Sequence, residues 1–188
     1  MPTGYQIKDQ SQAYYLTLQV VYWIDIFTRK ECRNIVIESL RYCQEHKGLE
    51  IYAYVIMSNH VHLLARSSTG DLSGTLRDLK KYTSKQLVEF IANGAESRKE
   101  WMLRLFAHAA KRQNKQGEYQ VWTHENHAKE IFSNHFLTST VNYIHQNPVR
   151  AGLVQHAEDY LYSSARSYAE QDGMINILMV DRQWKTYT

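Results

Sequence analysis

The sequence predicts an α+β fold in which an antiparallel β-sheet has helices packed on one face. Two consecutive stretches, 50–57 and 60–66, are rich in apolar and β-branched residues, and Ser58-Asn59 between them has turn chemistry. Helical periodicity lies on both sides of this expected hairpin, and a further strand comes first. The order strand–helix–strand–strand–helix is that of a ferredoxin-like α/β sandwich.

Each element follows from its own pattern. Residues 13–24 are β-branched and aromatic with no turn residue, which predicts a strand. Residues 29–47 repeat apolar side chains at helical spacing after the cap candidate Thr28, and Gly48 ends this helix. The remaining expected elements are helices from Asp71 or Ser73 to Ala92, over 97–111 and from Thr138 to His145, a short strand over 119–122 and a polar loop over 112–118.

Composition indicates one globular domain. The chain has 188 residues, of which 44% are hydrophobic and 22% charged, and it contains no Gly/Ser-rich linker. We expect a single domain over 1–188, with a core at about 13–168 and a C-terminal tail at 169–188. The first residues lack a signal-peptide pattern, and no apolar run approaches the roughly 18 residues that span a bilayer. We therefore expect a cytoplasmic protein without membrane contact, with Cys32 and Cys43 as reduced thiols.

The positive charge is concentrated in two segments although the net charge is only +3. Local basic clusters on a nearly neutral chain fit binding to a polyanion, while solvated helix faces are the alternative. One cluster lies in the helix expected after the hairpin and the other in the next helix. Their members are Arg77, Lys80, Lys81, Lys85, Arg98, Lys99, Arg104, Lys111 and Arg112.

The stretch "NHVHLL" places two histidines on one expected strand. Residues i and i+2 of a strand point to the same face, so His60 and His62 lie side by side. Two neutral imidazoles in this arrangement can chelate a divalent metal ion. The alternative is a pair of hydrogen-bonded histidines on a half-polar sheet face. A metal site needs at least one further protein ligand, and that ligand must come from elsewhere in the chain.

A second group of polar residues lies in "NYIHQNPVRAGLV". Tyr143 and Asn147 are four residues apart, so they share a face if this segment is helical. Pro148 disfavours helical conformation at Asn147 and predicts that the helix ends or kinks there. The alternative interpretation is a helix end capped by the asparagine and packed by the tyrosine.

Taken together, "YAYVIMSNHVHLLARS", "YIHQNPVRAGLV" and "DYLYSSARSY" resemble the HUH-type single-tyrosine transposases, and within them the REP-associated, IS200-like group. The resemblance extends from about Tyr14 to Tyr168. It implies a ferredoxin-like sandwich with a catalytic tyrosine on a C-terminal helix that faces the histidine strand. It also implies a metal-dependent endonuclease and strand transferase that cuts and rejoins single-stranded DNA next to hairpins. Relatives often have Pro-Asn before the histidines, where this chain has Ser58-Asn59.

The resemblance also implies roles for individual residues. His60 and His62 would hold Mg²⁺ or Mn²⁺, Asn147 would complete the metal site, and Tyr143 would be the nucleophile that forms a 5′-phosphotyrosine. The basic residues named above and Arg150 would contact DNA phosphates. Trp101 and Trp122 are candidates for base stacking or for the core. A homodimer in which the partner supplies the tyrosine is a further possibility within the wider superfamily.

Three alternatives to a transposase stay open at this point. One is an HUH replication-initiator or relaxase-like nickase, although the single tyrosine in the motif and the short chain argue against it. Another is a domesticated protein that binds hairpin DNA without cutting it. The last is a small metal-binding α/β protein whose basic clusters are only solvated helix faces.

Overall fold

The computed structural model describes residues 6–113 and 118–180. Its centre is a four-stranded antiparallel sheet in the order β2-β3-β1-β4. The strands are β1 (Tyr14–Gln19), β2 (Leu49–Ile56), β3 (His60–Ser67) and β4 (Lys129–Glu130). The helices are α1 (Lys30–Lys47), α2 (Leu72–Asn93), α3 (Lys99–Arg112), α4 (Asn134–Arg150) and α5 (Ala165–Tyr168). The predicted fold class is confirmed.

Helices cover both faces of the sheet. α1 and α2 pack on one face over the larger apolar core, as predicted. The prediction that helices cover one face only is wrong, because the buried face of α4 packs on the other face against β2. Asp71 caps α2 by accepting a hydrogen bond from Gly74 N (2.9 Å). Gly48 ends α1 in the left-handed conformation at φ 65°, where a Cβ atom would also lie 2.5 Å from the Ser68 hydroxyl. Within the described ranges, no helix is long and apolar enough to cross a membrane.

The β2–β3 hairpin forms as predicted. Met57 N donates to His60 O (2.9 Å) across the Ser58-Asn59 turn. The cross-strand register places Thr17 opposite His62. The same alternation that buries one face of β1 and β3 thus sends Thr17 and His62 together to the face covered by α4.

Some predicted boundaries are wrong. β1 ends at Gln19, because Tyr22 and Trp23 turn the chain with φ values of 55° and 56°. Residues 119–122 meet the end of β1 through one bridge, Val20 to Trp122, and the fourth strand forms later, at β4. α4 continues past Pro148 to Arg150. Proline has no backbone N–H, but Pro148 lies in the last turn, so the helix loses a hydrogen bond only at its end. The predicted loop over 112–118 falls partly on 114–117, outside the described residues.

The segment 160–164 lies along the free edge of β2. Ile56 N donates to Tyr162 O (2.9 Å), and Ser164 N donates to Tyr54 O (3.0 Å). The Ser164 hydroxyl also contacts Nε2 of the buried His145 (2.8 Å), which fastens α4 to this edge. The described part of the predicted tail, 169–180, continues along β2, whereas 1–5 and 181–188 lie outside the described residues.

Candidate active site

The two histidines of β3 lie side by side on the α4 face of the sheet. The centroids of the His60 and His62 rings are 4.6 Å apart, with 70° between the ring planes. Burial lowers the pKa of His60 and lowers that of His62 to about 3, with a smaller contribution from His60. Both imidazoles are therefore neutral at neutral pH, which is the state that binds a metal ion.

The orientation of His60 is fixed by the residue before it. His60 Nδ1 lies 2.7 Å from Asn59 Oδ1, an atom that can only accept, so Nδ1 carries the proton. The Asn59 amide is itself oriented, since its Nδ2 donates to Trp23 O and to Asp25 Oδ1, both at 3.3 Å. His60 Nε2 consequently keeps a free lone pair for a ligand.

His62 is held from β1. Its Nδ1 lies 2.8 Å from Tyr15 Oη and 3.1 Å from Thr17 Oγ1. Either oxygen can accept a hydrogen bond from a protonated Nδ1, and that tautomer leaves Nε2 as the electron-pair donor. Polar partners that orient a metal-binding imidazole through its other nitrogen are typical of metal sites.

The donor set fits a divalent cation. Among the described residues, no group of three or more His, Cys, Asp or Glu side chains is placed to hold a metal ion. The third ligand that the sequence predicts, the carboxamide of Asn147, is of another type. Asn147 lies one turn beyond Tyr143, and its Nδ2 donates to the Tyr143 carbonyl oxygen (2.9 Å). Oδ1 is the atom of that amide able to act as a ligand.

Tyr143 extends from α4 toward the histidines. Its ring centroid is 5.5 Å from that of His62 and 6.1 Å from that of Tyr15. Its side chain is 39% exposed, so a substrate can reach the phenol. The guanidinium of Arg150 lies over the ring at 4.8 Å. One chain thus brings together a histidine pair, a reachable phenol and a cation.

Tyr15 is a second phenol in the site. Burial raises its pKa to about 12, with smaller raising contributions from the charge and hydrogen bonding of Tyr143. Tyr15 therefore stays protonated at neutral pH. Its hydroxyl contacts His62 and Thr17, which makes it a positioning residue rather than a nucleophile.

The predicted DNA-binding residues of α2 divide into two groups. Arg77, Lys81 and Lys85 are exposed at four-residue spacing and line a groove of about 1170 Å³ between α2 and residues 118–126. The Lys80 ammonium instead donates to three backbone carbonyl oxygens, of Thr123, His124 and Glu125, at 3.0–3.3 Å. Lys80 thus fixes residues 123–125, which form the side of the groove opposite α2.

The basic residues of α3 divide in the same way. Arg98 binds the buried carboxylate of Glu96 together with Arg29, and this cluster lowers the pKa of Glu96 to about 2. The Arg98 side chain therefore forms an ion pair at the junction between α2 and α3. Its predicted companions Lys99, Arg104, Lys111 and Arg112 are exposed. Of the two predicted stacking residues, Trp122 is buried and donates from Nε1 to Thr83 Oγ1 (2.8 Å), whereas Trp101 is 49% exposed.

Sequence reasoning missed the residues that orient the histidines. Tyr15 and Thr17 alternate along β1, which places them on one face, but only the register with β3 reveals His62 as their partner. The sequence indicates only a turn residue at Asn59, whereas its amide contact with His60 depends on Trp23 and Asp25. No spacing in the sequence carries that information.

Comparisons with known proteins identify the family and support the fold. The family model described as "Transposase IS200 like" matches residues 10–147, which include the histidine pair, Tyr143 and Asn147. The fold is similar to a solved REP-associated tyrosine transposase bound to a REP hairpin, with a TM-score of 0.58, 15% sequence identity and 99% of each chain covered. No curated protein matches the chain.

Proposed function

The chain belongs to the IS200-like transposase family, and on that premise we propose that it is a metal-dependent strand transferase for single-stranded DNA. In this proposal it cuts and rejoins DNA next to hairpins through a 5′-phosphotyrosine intermediate. The observation that carries the proposal is the contact between the Tyr143 ring and the His62 ring, 5.5 Å apart, within one chain.

In the cutting step, the Tyr143 phenolate attacks the scissile phosphorus. A bond forms between Tyr143 Oη and phosphorus, and the bond from phosphorus to the 3′-oxygen of the preceding nucleotide breaks. That oxygen leaves as a 3′-hydroxyl after taking up a proton. The phosphotyrosine keeps the energy of the phosphodiester, so a second 3′-hydroxyl can reverse the step and join strands. The reaction needs no nucleotide cofactor.

Arg150 and Tyr15 lie beside the ring of the proposed nucleophile. The Arg150 guanidinium lies over the ring and would stabilise the negative charge of a phenolate. Tyr15, whose pKa is raised to about 12, keeps its proton and would donate a hydrogen bond to the Tyr143 oxygen. His62 stays neutral because burial lowers its pKa to about 3, so its Nε2 lone pair stays available to a metal ion.

His60, His62 and Asn147 are the residues that would hold Mg²⁺ or Mn²⁺. When bound, the cation would supply Lewis-acid polarisation of the scissile phosphate. Asn59 and Tyr15 would keep the Nε2 atoms of the two imidazoles directed at it.

A hairpin-bearing single strand is the proposed substrate. The solved structure similar in fold holds a REP hairpin. The exposed cations of this chain, Arg77, Lys81 and Lys85 on α2 and Lys99, Arg104, Lys111 and Arg112 on α3, provide phosphate contacts of the kind that fix a nucleic acid in register.

The proposal is tested by trapping the covalent intermediate. Denatured genomic DNA fragments from the host, which contain its natural hairpins, are incubated with the protein and Mn²⁺, and adducts that survive denaturing electrophoresis are counted. We expect Tyr143→Phe to abolish the adduct and to leave DNA binding nearly intact. Tyr160→Phe is the matched control, because Tyr160 belongs to the segment 160–164 along β2, where its Oη donates to Ile56 O (2.8 Å). An adduct in the Tyr143→Phe variant would disprove the assigned nucleophile.

A wild-type chain that binds hairpin DNA in Mn²⁺ yet forms no adduct would identify a DNA-binding protein without cutting activity. Adduct formation undiminished by a chelator would disprove the metal dependence.

A further inference from the structure

We infer that Tyr22 and Trp23 form a base-stacking platform at the mouth of the candidate active site, where the Trp23 indole takes an unpaired base next to the scissile phosphate. The inference rests on the proposed function, because it needs a single strand whose phosphate reaches His60 and His62.

The two aromatic residues occupy a conformation that their side chains do not favour. Tyr22 and Trp23 have φ values of 55° and 56°, in the left-handed region where glycine or asparagine costs less free energy. Packing does not compensate, since the rings are 43% and 57% exposed. Burial therefore does not account for two large aromatic side chains in a strained turn.

The turn is nevertheless held firmly. The flanking residues Val21 and Ile24 are buried, and Val21 N donates to Val121 O (2.8 Å). The Tyr22 hydroxyl lies 2.9 Å from Nδ1 of His108 on α3. The rings are thus presented on a fixed backbone, which lowers the entropy lost when a ligand binds.

The platform borders the histidine pair directly. The Trp23 ring meets the His60 ring edge to face, with centroids 6.1 Å apart and 80° between the planes. Asn59 links the two residues, because its Nδ2 donates to Trp23 O and its Oδ1 accepts from His60 Nδ1. A base on the nucleotide at the scissile phosphate, or on its neighbour, therefore lies within reach of the indole.

The surroundings favour a nucleic acid over a second copy of the chain. On α3, Arg104, His108 and Lys111 are exposed at helical spacing, and His108 contacts Tyr22. A basic helix face next to the platform attracts a polyanion and repels its own copy. An exposed indole can stack on any of the bases, so the platform needs no particular sequence.

The test measures binding in the Tyr143→Phe background, where cutting does not interfere. The probe is a DNA hairpin with oligothymidine on both sides, in which an abasic site is moved one nucleotide at a time. We expect Trp23→Ala to weaken binding about ten-fold. One abasic position should cause a similar loss with Trp23 present and no further loss in the variant. Trp23→Gly, which suits the observed φ, repeats the measurement if alanine disturbs the turn.

Tyr42→Ala is the matched control, since Tyr42 is an aromatic residue 55% exposed on α1 and is not part of the turn. It should bind like the parent. The inference is overturned if Trp23→Ala and Trp23→Gly bind as the parent does, if no abasic position couples to Trp23, or if removing the ring changes self-association instead. Coupling without any adduct in the wild-type chain would uphold the platform and reject the cutting chemistry. An adduct without coupling would do the reverse.

Discussion

The two faces of the β1–β3 pair share one backbone, but one face belongs to the apolar core and the other carries the candidate active site. On the face toward α1 and α2, Leu16, Leu18, Val61 and Leu63 are 0–1% exposed and form the centre of the larger core. On the face toward α4, their immediate neighbours Tyr15, Thr17, His60 and His62 form a hydrogen-bonded polar cluster beside Tyr143. Because side chains alternate along a strand, the residues of the apolar core and those of the candidate site are immediate neighbours in sequence.

This separation has a physical reason. Polar groups that must face a substrate need rigid support, and a strand with one fully buried apolar face supplies it. Substitutions at neighbouring positions should therefore affect different properties of the protein.

The largest expected effect on the polar face is that of His62→Ala. It removes one imidazole of the candidate metal site and should reduce Mn²⁺-dependent adduct formation about 10²–10⁴-fold. The thermal unfolding midpoint should change less than in the apolar-face variant described next. The rate is measured as adduct formed per minute on hairpin-bearing single strands. Full activity in this variant would show that His62 is structural.

The matching substitution on the apolar face is Leu63→Ala. Leu63 is 0% exposed, and its truncation should lower the free energy of unfolding by about 2–5 kcal/mol. At a temperature where the variant stays folded, its adduct rate should equal that of the parent. Urea unfolding measures the first quantity. A Leu63→Ala chain that is stable but inactive would contradict the separation of the two faces.

A smaller effect is expected from Tyr15→Phe, with Tyr14→Phe as its control on the other face. Tyr15 orients His62, so its loss should lower Mn²⁺ affinity or activity about 10–100-fold. The Tyr14 hydroxyl instead accepts from Asp9 N and donates to Glu130 Oε2, both at 3.2 Å. Its removal should cost about 1 kcal/mol of stability and leave Mn²⁺ affinity unchanged. Equal Mn²⁺ titration curves for both variants would remove Tyr15 from the site.

A different kind of expected effect is a pH dependence of stability that originates on the α4 face. Burial lowers the pKa of His145 to about 4 and that of His62 to about 3, from the ordinary 6.5. The unfolded chain therefore takes up protons first, so this stability is fully present above pH 6.5 and is lost as the pH falls toward those values. Glu96, with a pKa of about 2, contributes a further loss only below its ordinary 4.5.

Urea unfolding in EDTA between pH 7 and about 4.5 measures this dependence. His145→Gln should flatten the curve, and the exposed His46→Gln should not. A parent curve without slope in this window would mean that the buried histidines carry no such linkage.

Much of the fold was predictable because its signals are local. Helical and strand periodicity, the Ser58-Asn59 turn, the Asp71 cap and Gly48 are each encoded within a few residues. The strand alternation also placed His60 and His62 on one face, and helical spacing placed Tyr143 and Asn147 together. These are features that neighbouring residues determine.

The rest depends on contacts between distant segments. Tyr22 and Trp23 match a strand in composition, and only the packing of the turn shows that they leave it. Lys80 and Arg98 resemble solvated cations in sequence, yet distant carbonyl and carboxylate groups hold them. The partnership of Tyr15 with His62 requires the register of β1 on β3. Such tertiary information is absent from any single window of sequence.

Tyr143 and the histidine pair meet within one chain, and this has a kinetic consequence under the proposed function. Each molecule would carry a complete centre, so the cutting rate per molecule should not depend on how many other molecules are nearby. Two DNA ends would then be processed by separate encounters. The yield of joined products should consequently fall faster on dilution than the yield of single cuts.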